Sequence, residues 1–489
     1  MPDRPNLFLI MSDQHNPHVL GCAGDRFIRT PHLDRLAEQG VRFSSATCGS
    51  PLCAPSRMTF LTSRRCSDIG VWSNGCVLDS ETPTFVHHLS AAGYRTVLCG
   101  RMHFNGPDQR HGFQTRILGD IGQPRRFPGP ERTVLGPIPK ATVGQNKAAV
   151  EVAGPGRTAY QAYDEAVTDA CCRFLAEWDS APESQPLALV VGYLLPHCPF
   201  ICPPDLFHHY YDRIDLPRLP DGYLDRLHPA AMAYRQRRQF DDLTDEQVRT
   251  ARAAYYGLVE YADRLIGRVL QALAQTRFGE NTILVYVSDH GDAAGEHRIW
   301  TKSNFYEGAV SVPMIWSWPG HFAEGRTVNQ VSSLLDVGPT LLDLLGAGPL
   351  SGTAGRSLAG FLSGPGTVPD WPDEAFSEYC GLLGDRPGRM LRHGPYKVNH
   401  YHGYAQPQLF NLDQDPEELR DLRDDPAHAE ILRQLHRRVL DGWDGDRIER
   451  AMADLDARRK EVIARAEKYR TPEQDFWDMP PDCNVFPMA

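Results

Sequence analysis

The chain is expected to fold as an α/β protein: a large mixed, mostly parallel sheet flanked by helices, followed by a smaller C-terminal α+β unit. Three observations predict this. Four short runs, residues 7–11, 96–99, 187–195 and 282–287, are continuously apolar, the pattern of strands covered on both faces. Helical patterns lie between them, giving the strand and helix alternation of a wound sheet. The 489 residues are 41% hydrophobic and 23% charged, the balance of a chain that buries a large core.

In chain order, the apolar run 7–11 is too short for a signal-peptide core or a membrane span, so a cytoplasmic protein is expected. Thr30 stands as the cap of a helix over 31–39 with Pro31 in its first turn. The strand 96–99 precedes residues 119–157, rich in Gly, Pro and basic side chains and read as a long surface excursion near a site entrance. The strand 187–195, a helix over 245–274 and the strand 282–287 follow. Gly, Pro and Ser dominate 346–372, which places a boundary near Asp370 between a domain of residues 1–370 and one of 371–489. Residues 430–468 carry mixed charge at helical spacing, and the proline- and aromatic-rich tail 469–489 is suited to clasping a second subunit, so a homo-oligomer is expected.

The formal net charge of −11 argues against nucleic acid or an anionic membrane as a partner, and an anionic substrate then needs a locally positive pocket. The 12 cysteines have no scaffold spacing and read as mostly reduced, buried thiols. Cys171-Cys172 and Cys198 with Cys202 lack a second ligand pair for zinc and are assigned to the core.

Each apolar run ends near site-forming residues: Asp13 and Gln14, then Arg101 and His103, then His197, then Asp289, His290 and Asp292. Open α/β sheets place ligands beyond the carboxyl ends of their strands, so these four ends predict one shared site. A lone Asp more often caps the next helix, but two of them after separate strands favour a joint metal site. Cys53 precedes Pro55 at the start of a helical run, where free amides and the helix dipole favour an anion and Arg57 adds a permanent charge.

The segment Cys53-Ala54-Pro55-Ser56-Arg57 resembles the sulfatase signature Cys-x-Pro-Ser-Arg, whose cysteine is oxidised to formylglycine. The segments 6–13, 30–34, 93–96, 288–292 and 409–417 also resemble sulfatase blocks, in the family's order. The stretch from Gly100 to Phe113, with the pairing of Asp13 and Gln14, is similar to the choline-sulfatase branch. The pattern departs from the family at Arg101, where lysine is commoner, and at Ser63, where glycine is usual.

The resemblance implies a divalent cation held by Asp13, Gln14, Asp289, His290 and the modified Cys53. Mostly oxygen donors point to calcium, with manganese or magnesium as alternatives. It also implies that a hydroxyl of the hydrated formylglycine attacks sulfur, with His197 or Lys302 protonating the departing alcohol and His103 acting as the later base. Arg57, Arg101 and Lys302 stabilise the charge on the transferred group, with Arg101, His197 and Lys302 binding the substrate. A formylglycine-generating maturase is an implied partner, and His297, Asp292 and His111 are supporting candidates. The expected substrate is a small sulfate monoester, alkyl, choline-like or aryl. A choline-type site needs aromatic rings and carboxylates, for which Trp72, Phe104 and Tyr401 are candidate rings. A phosphonate monoester or phosphodiester hydrolase is the alternative on the same fold; a non-catalytic binding relative is expected to have lost one of these residues.

Overall fold

The computed structural model describes residues 4–121, 145–181, 185–364, 366–381 and 386–466. Most of the 119–157 excursion and the whole 469–489 tail lie outside the described residues. Eight strands form the main sheet: β1 Asn6–Asp13, β2 Val41–Phe43, β3 Arg95–Gly100, β4 Thr115–Leu118, β5 Leu187–Pro196, β6 Thr282–Ser288, β7 Met314–Ser317 and β8 Arg326–Val328. Their spatial order is β8-β2-β7-β6-β1-β5-β3-β4. Only β7 runs against its neighbours β2 and β6; every other pairing is parallel. The four apolar runs are thus the adjacent central strands β6, β1, β5 and β3, and the mixed, mostly parallel sheet agrees with the sequence expectation.

The continuous apolarity of these strands has a direct cause. Phe8 and Ile10 of β1, Val97 and Cys99 of β3, and Leu189 and Val191 of β5 enter the core on one face. Leu7, Leu9, Met11, Leu98, Ala188 and Val190 enter the core on the other. Side chains alternate across a strand, so both sets must be apolar when helices cover both faces. The first face is covered by the helices Ala159–Ser180 and Asp245–Ala274, the second by Cys53–Thr62 and Val337–Leu344. Thr244 caps the long helix by accepting from Gln247 N. Thr30 sits at the N-cap position of Pro31–Glu38 without capping it; its hydroxyl accepts from Gly21 N and donates to Asp34. All ten residues of Cys53–Thr62 are buried, so this helix has no solvent-exposed face.

A second sheet, Glu374–Tyr379, Gly388–His393, Tyr396–Tyr401 and Gln408–Asn411, is an antiparallel meander. Leu391, Val398 and Leu409 pack with Leu435 and Val439 of the helix Ala429–Leu440. The single helical pattern expected over 430–468 is two helices, because Gly442 turns the chain with φ 64° before Gly445–Ala466 begins. The two units are joined by a buried ion cluster: Lys397 Nζ donates to Phe305 O at 2.7 Å and to Glu307 Oε1 at 2.8 Å, and also pairs with Glu418. Cys171, Cys198 and Cys202 are buried as expected, and Cys172 is half-buried. Among the described residues no helix is long and apolar enough to cross a membrane.

The helix Cys53–Thr62 ends at Ser63, which takes a left-handed conformation with φ 53°. That geometry explains why glycine is the ordinary residue here, since a Cβ is strained in it. The buried Ser63 hydroxyl also lacks a hydrogen-bond partner. Ser63→Gly is therefore expected to raise stability by about 1 kcal/mol, after allowing for the extra freedom of glycine in the unfolded chain. Denaturant unfolding of the two proteins measures this, and a loss of stability would contradict it.

Candidate active site

The central strands deliver their terminal residues to one point. β1 ends in Asp13, β6 leads into Asp289 and His290, β3 into Arg101 and His103, and β5 into His197. Close approach of two of these turns requires Gly192 in β5, where an added Cβ would lie 1.7 Å from Arg101 O. Gln14, His103, Thr301 and Ser303 all have positive φ, so the backbone around the site is held in strained turns by its surroundings.

Arg57 organises the charges. Its guanidinium is fully buried, donating through Nη2 to Asp13 Oδ2 at 3.1 Å and through Nε to Asp289 Oδ2 at 2.8 Å. Arg101 Nε donates to the same Asp13 Oδ2 at 2.7 Å. The Oδ1 atoms are turned elsewhere, and both lie near His290 Nε2, at 3.6 Å for Asp13 and 3.5 Å for Asp289. Asp289 Oδ1 is further held by Gln14 N at 3.1 Å and His290 N at 2.9 Å.

Cys53 Sγ lies among these groups: Lys302 Nζ at 2.7 Å, His290 Nε2 at 3.3 Å and Asp13 Oδ1 at 3.5 Å. Burial works to raise the thiol's pKa, but Lys302, His290, His103 and His197 outweigh it and hold it well below the ordinary cysteine value. Burial and the Cys53 charge likewise oppose ionisation of Asp13, while Arg101, Lys302 and His197 hold its carboxyl below the usual range. Lys302 is fixed from behind, with Thr301 N donating to Asp292 Oδ1 at 3.0 Å, Ser303 N donating to Pro51 O at 3.0 Å, and the Tyr234 hydroxyl donating to Lys302 O.

The two remaining histidines are tuned in opposite directions. Burial and Arg101 push His103 down to about 4, and Arg101 Nη2 lies 3.0 Å from His103 Nδ1 as its donor. His103 is therefore a neutral ring. Burial and Lys302 oppose charge on His197, but Cys198 and Asp13 outweigh them and its pKa rises to about 10. His197 Nδ1 donates to Cys198 O at 2.6 Å.

The donor set fits a divalent cation. Asp13, Cys53, Asp289 and His290 place one ligand atom each within 4.8 Å of one another. His290 Nδ1 donates to Gly291 O at 2.9 Å, which fixes the tautomer and leaves Nε2 with a free lone pair. Gln14 Nε2 donates to Asp292, while Gln14 Oε1 is buried without a partner. An orphaned amide oxygen is costly unless something positive occupies the space before it.

Of the supporting candidates, Asp292 orients Gln14 and the turn before Lys302. His297 stacks on Tyr306 with ring centroids 3.8 Å apart, and His111 packs against Phe104 at 4.7 Å, both as packing partners. Trp72 and Phe104 belong to the core. The helix N-terminus is less open to an anion than its sequence suggests, because Asn74 Oδ1 accepts from Ala54 N at 3.0 Å. Three residues went unnoticed in the sequence: Asn74, Asp120 and Tyr160. Asp120 accepts from His103 N at 2.9 Å and from Arg116, and the Tyr160 ring meets His197 edge-on at 5.8 Å. They sit outside any motif, and only the fold brings them to the site.

A model of the sulfatase family matches residues 5–347, and a model of the C-terminal region of N-sulphoglucosamine sulphohydrolase matches residues 295–443. Choline-sulfatase of Rhizobium meliloti is 31% identical, over 93% of this chain and 90% of that protein. Arylsulfatase K of Danio rerio is 28% identical, over 90% of this chain and 84% of that protein. The crystal structure of the phosphonate monoester hydrolase of Agrobacterium radiobacter shares the fold, with a TM-score of 0.74 at 23% identity, covering 90% of this chain and 95% of that one. The chain belongs to the sulfatase family, the hydrolases of sulfate esters.

Proposed function

We propose that the chain hydrolyses a sulfate monoester with a formylglycine made from Cys53 by a maturase, assisted by one divalent cation on Asp13, Gln14, Asp289 and His290. The observation that carries this is the convergence of Lys302, His103, His197 and His290 on a single buried cysteine at the start of a helix. Three oxygen donors and one nitrogen favour calcium, with manganese or magnesium as alternatives. The cation supplies charge neutralisation at the sulfate oxygens and activation of a hydroxyl at position 53. The hydrated aldehyde supplies the nucleophile and a second hydroxyl whose deprotonation expels sulfate.

The chain's own residues divide the remaining work. Lys302 Nζ and the Arg101 guanidinium bind the sulfate oxygens and hold sulfur against position 53. Arg57 stays on Asp13 and Asp289 and keeps both carboxylates aimed. His197, with its pKa raised to about 10, is protonated near neutrality and donates from Nε2 to the departing alcohol oxygen. His103 is neutral, and once Arg101 turns toward sulfate its Nδ1 is released, so that the ring changes tautomer and accepts a proton at Nε2.

The fold likeness to a phosphonate monoester hydrolase makes phosphorus esters the competing substrates. With the matured protein, kcat/KM for 4-nitrophenyl sulfate is expected to exceed that for 4-nitrophenyl phenylphosphonate; the reverse order assigns the site to phosphorus esters. His197→Gln is expected to lower kcat/KM for an alkyl sulfate by about 10²–10⁴-fold. The loss should be much smaller for 4-nitrophenyl sulfate, whose phenolate departs without a proton. Equal losses on both esters would contradict the assignment of His197 as the acid.

A further inference from the structure

His103 holds an unfavourable backbone. Its φ of 58° is a left-handed conformation that a residue with a Cβ rarely adopts, so its neighbours must keep it there. One neighbour is Arg101, whose Nη2 donates to His103 Nδ1 at 3.0 Å while the ring reaches Cys53. The other is Asp120, whose Oδ2 accepts from His103 N at 2.9 Å. The fold makes this second contact. Strands β3 and β4 pair in parallel, so the segments leaving their carboxyl ends, with His103 on one and Asp120 on the other, lie side by side.

Asp120 is itself held in place. Arg116 Nη2 donates to the same Oδ2 at 2.9 Å, and Arg116 Nη1 is tied to Gln109 Oε1 at 2.9 Å and to Gln109 O at 3.2 Å. Burial opposes ionisation of Asp120, but Arg116 and Arg101 outweigh it, so the group is a carboxylate. A charged acceptor shared by a guanidinium and a backbone amide makes a strong, directional anchor. Oδ1 takes no hydrogen bond and faces Arg101 Nη1 at 3.8 Å. The two oxygens therefore serve different groups, Oδ2 the His103 backbone and Oδ1 the Arg101 side chain.

We propose that Asp120 is a positioning residue for His103: Oδ2 fixes the backbone from which the ring reaches position 53, and the step that depends on it is the release of sulfate. This rests on the proposed hydrolysis of a sulfate ester. In that step His103 Nε2 takes the proton of the remaining hydroxyl on position 53. The electron pair of that O–H bond closes the carbonyl, and the carbon–oxygen bond to sulfate breaks with its electrons leaving on sulfate. The earlier departure of the alcohol uses His197 and not His103, so a displaced His103 slows the second half alone. A displacement of about 1 Å costs such a group on the order of 10²-fold.

Matured full-length Asp120→Ala tests this with 4-nitrophenyl sulfate. Release of sulfate then limits turnover, so kcat and KM are expected to fall together by about 10²-fold while kcat/KM stays within about threefold of the wild type. One equivalent of 4-nitrophenol should appear as a burst, and mass spectrometry of the quenched protein should find sulfate held on position 53, which a merely loosened site would not show. Asp120→Asn keeps an oxygen for His103 N and loses the charge facing Arg101, and is expected to restore kcat to within about threefold of the wild type. Absence of the burst with kcat/KM reduced as far as kcat would overturn the proposal. An Asn variant as slow as the Ala variant would also overturn it, by assigning the effect of Asp120 to Arg101. If the matured wild-type protein itself releases no sulfate, the hydrolase reading fails and the proposal falls with it.

Discussion

The buried Arg57 guanidinium, spanning Asp13 and Asp289, is the constraint on which the site depends. Two carboxylates at the ends of adjacent strands, fully buried, would repel each other and pull the sheet's carboxyl edge apart. Desolvating them costs several kcal/mol per ion unless the pairing geometry is good. Arg57 meets that condition by giving a different nitrogen to each carboxylate's Oδ2, which leaves both Oδ1 atoms near His290 Nε2. Because Arg57 and Cys53 share one helix, the same clamp sets the position of the cysteine. The helix is enclosed on every side, so its polar side chains must find partners inside: Arg57 on the two carboxylates, and the Ser56, Thr59 and Thr62 hydroxyls on backbone carbonyls.

Both units of the molecule support the candidate site. The reacting groups stand on strand ends of a sheet whose two faces are both packed, a rigid platform for charges that must be placed closely. The C-terminal unit is held against the segment that follows Lys302 through Lys397 and its contacts to Phe305 and Glu307. Those contacts lie a few residues beyond Lys302. The small sheet therefore supports the segment that carries Lys302.

Much of the fold was legible in the sequence because burial on both faces writes a simple pattern: residues 7–11, 96–99, 187–195 and 282–287 have no polar alternation, and they are the four central strands. Their neighbouring order explains why Asp13, His103, His197 and Asp289 meet. The anchoring residues were harder to see. Asn74, Asp120 and Tyr160 lie far in sequence from Cys53, and a lone Asn or Asp in a loop has no local signature of what it will face. The helical pattern over 430–468 hid a break because Gly442, where the chain turns, and Gly445 lie within an otherwise regular distribution of charge.

The central claim is that Cys53 is converted into the nucleophile. Mass spectrometry of the tryptic peptide 43–57, from protein produced together with a formylglycine-generating maturase, addresses it most directly. A loss of about 18 Da, as an aldehyde replaces the thiol, accompanied by sulfate release from an aryl sulfate, is the predicted result. An unmodified cysteine in protein that still releases sulfate at full rate would contradict the claim.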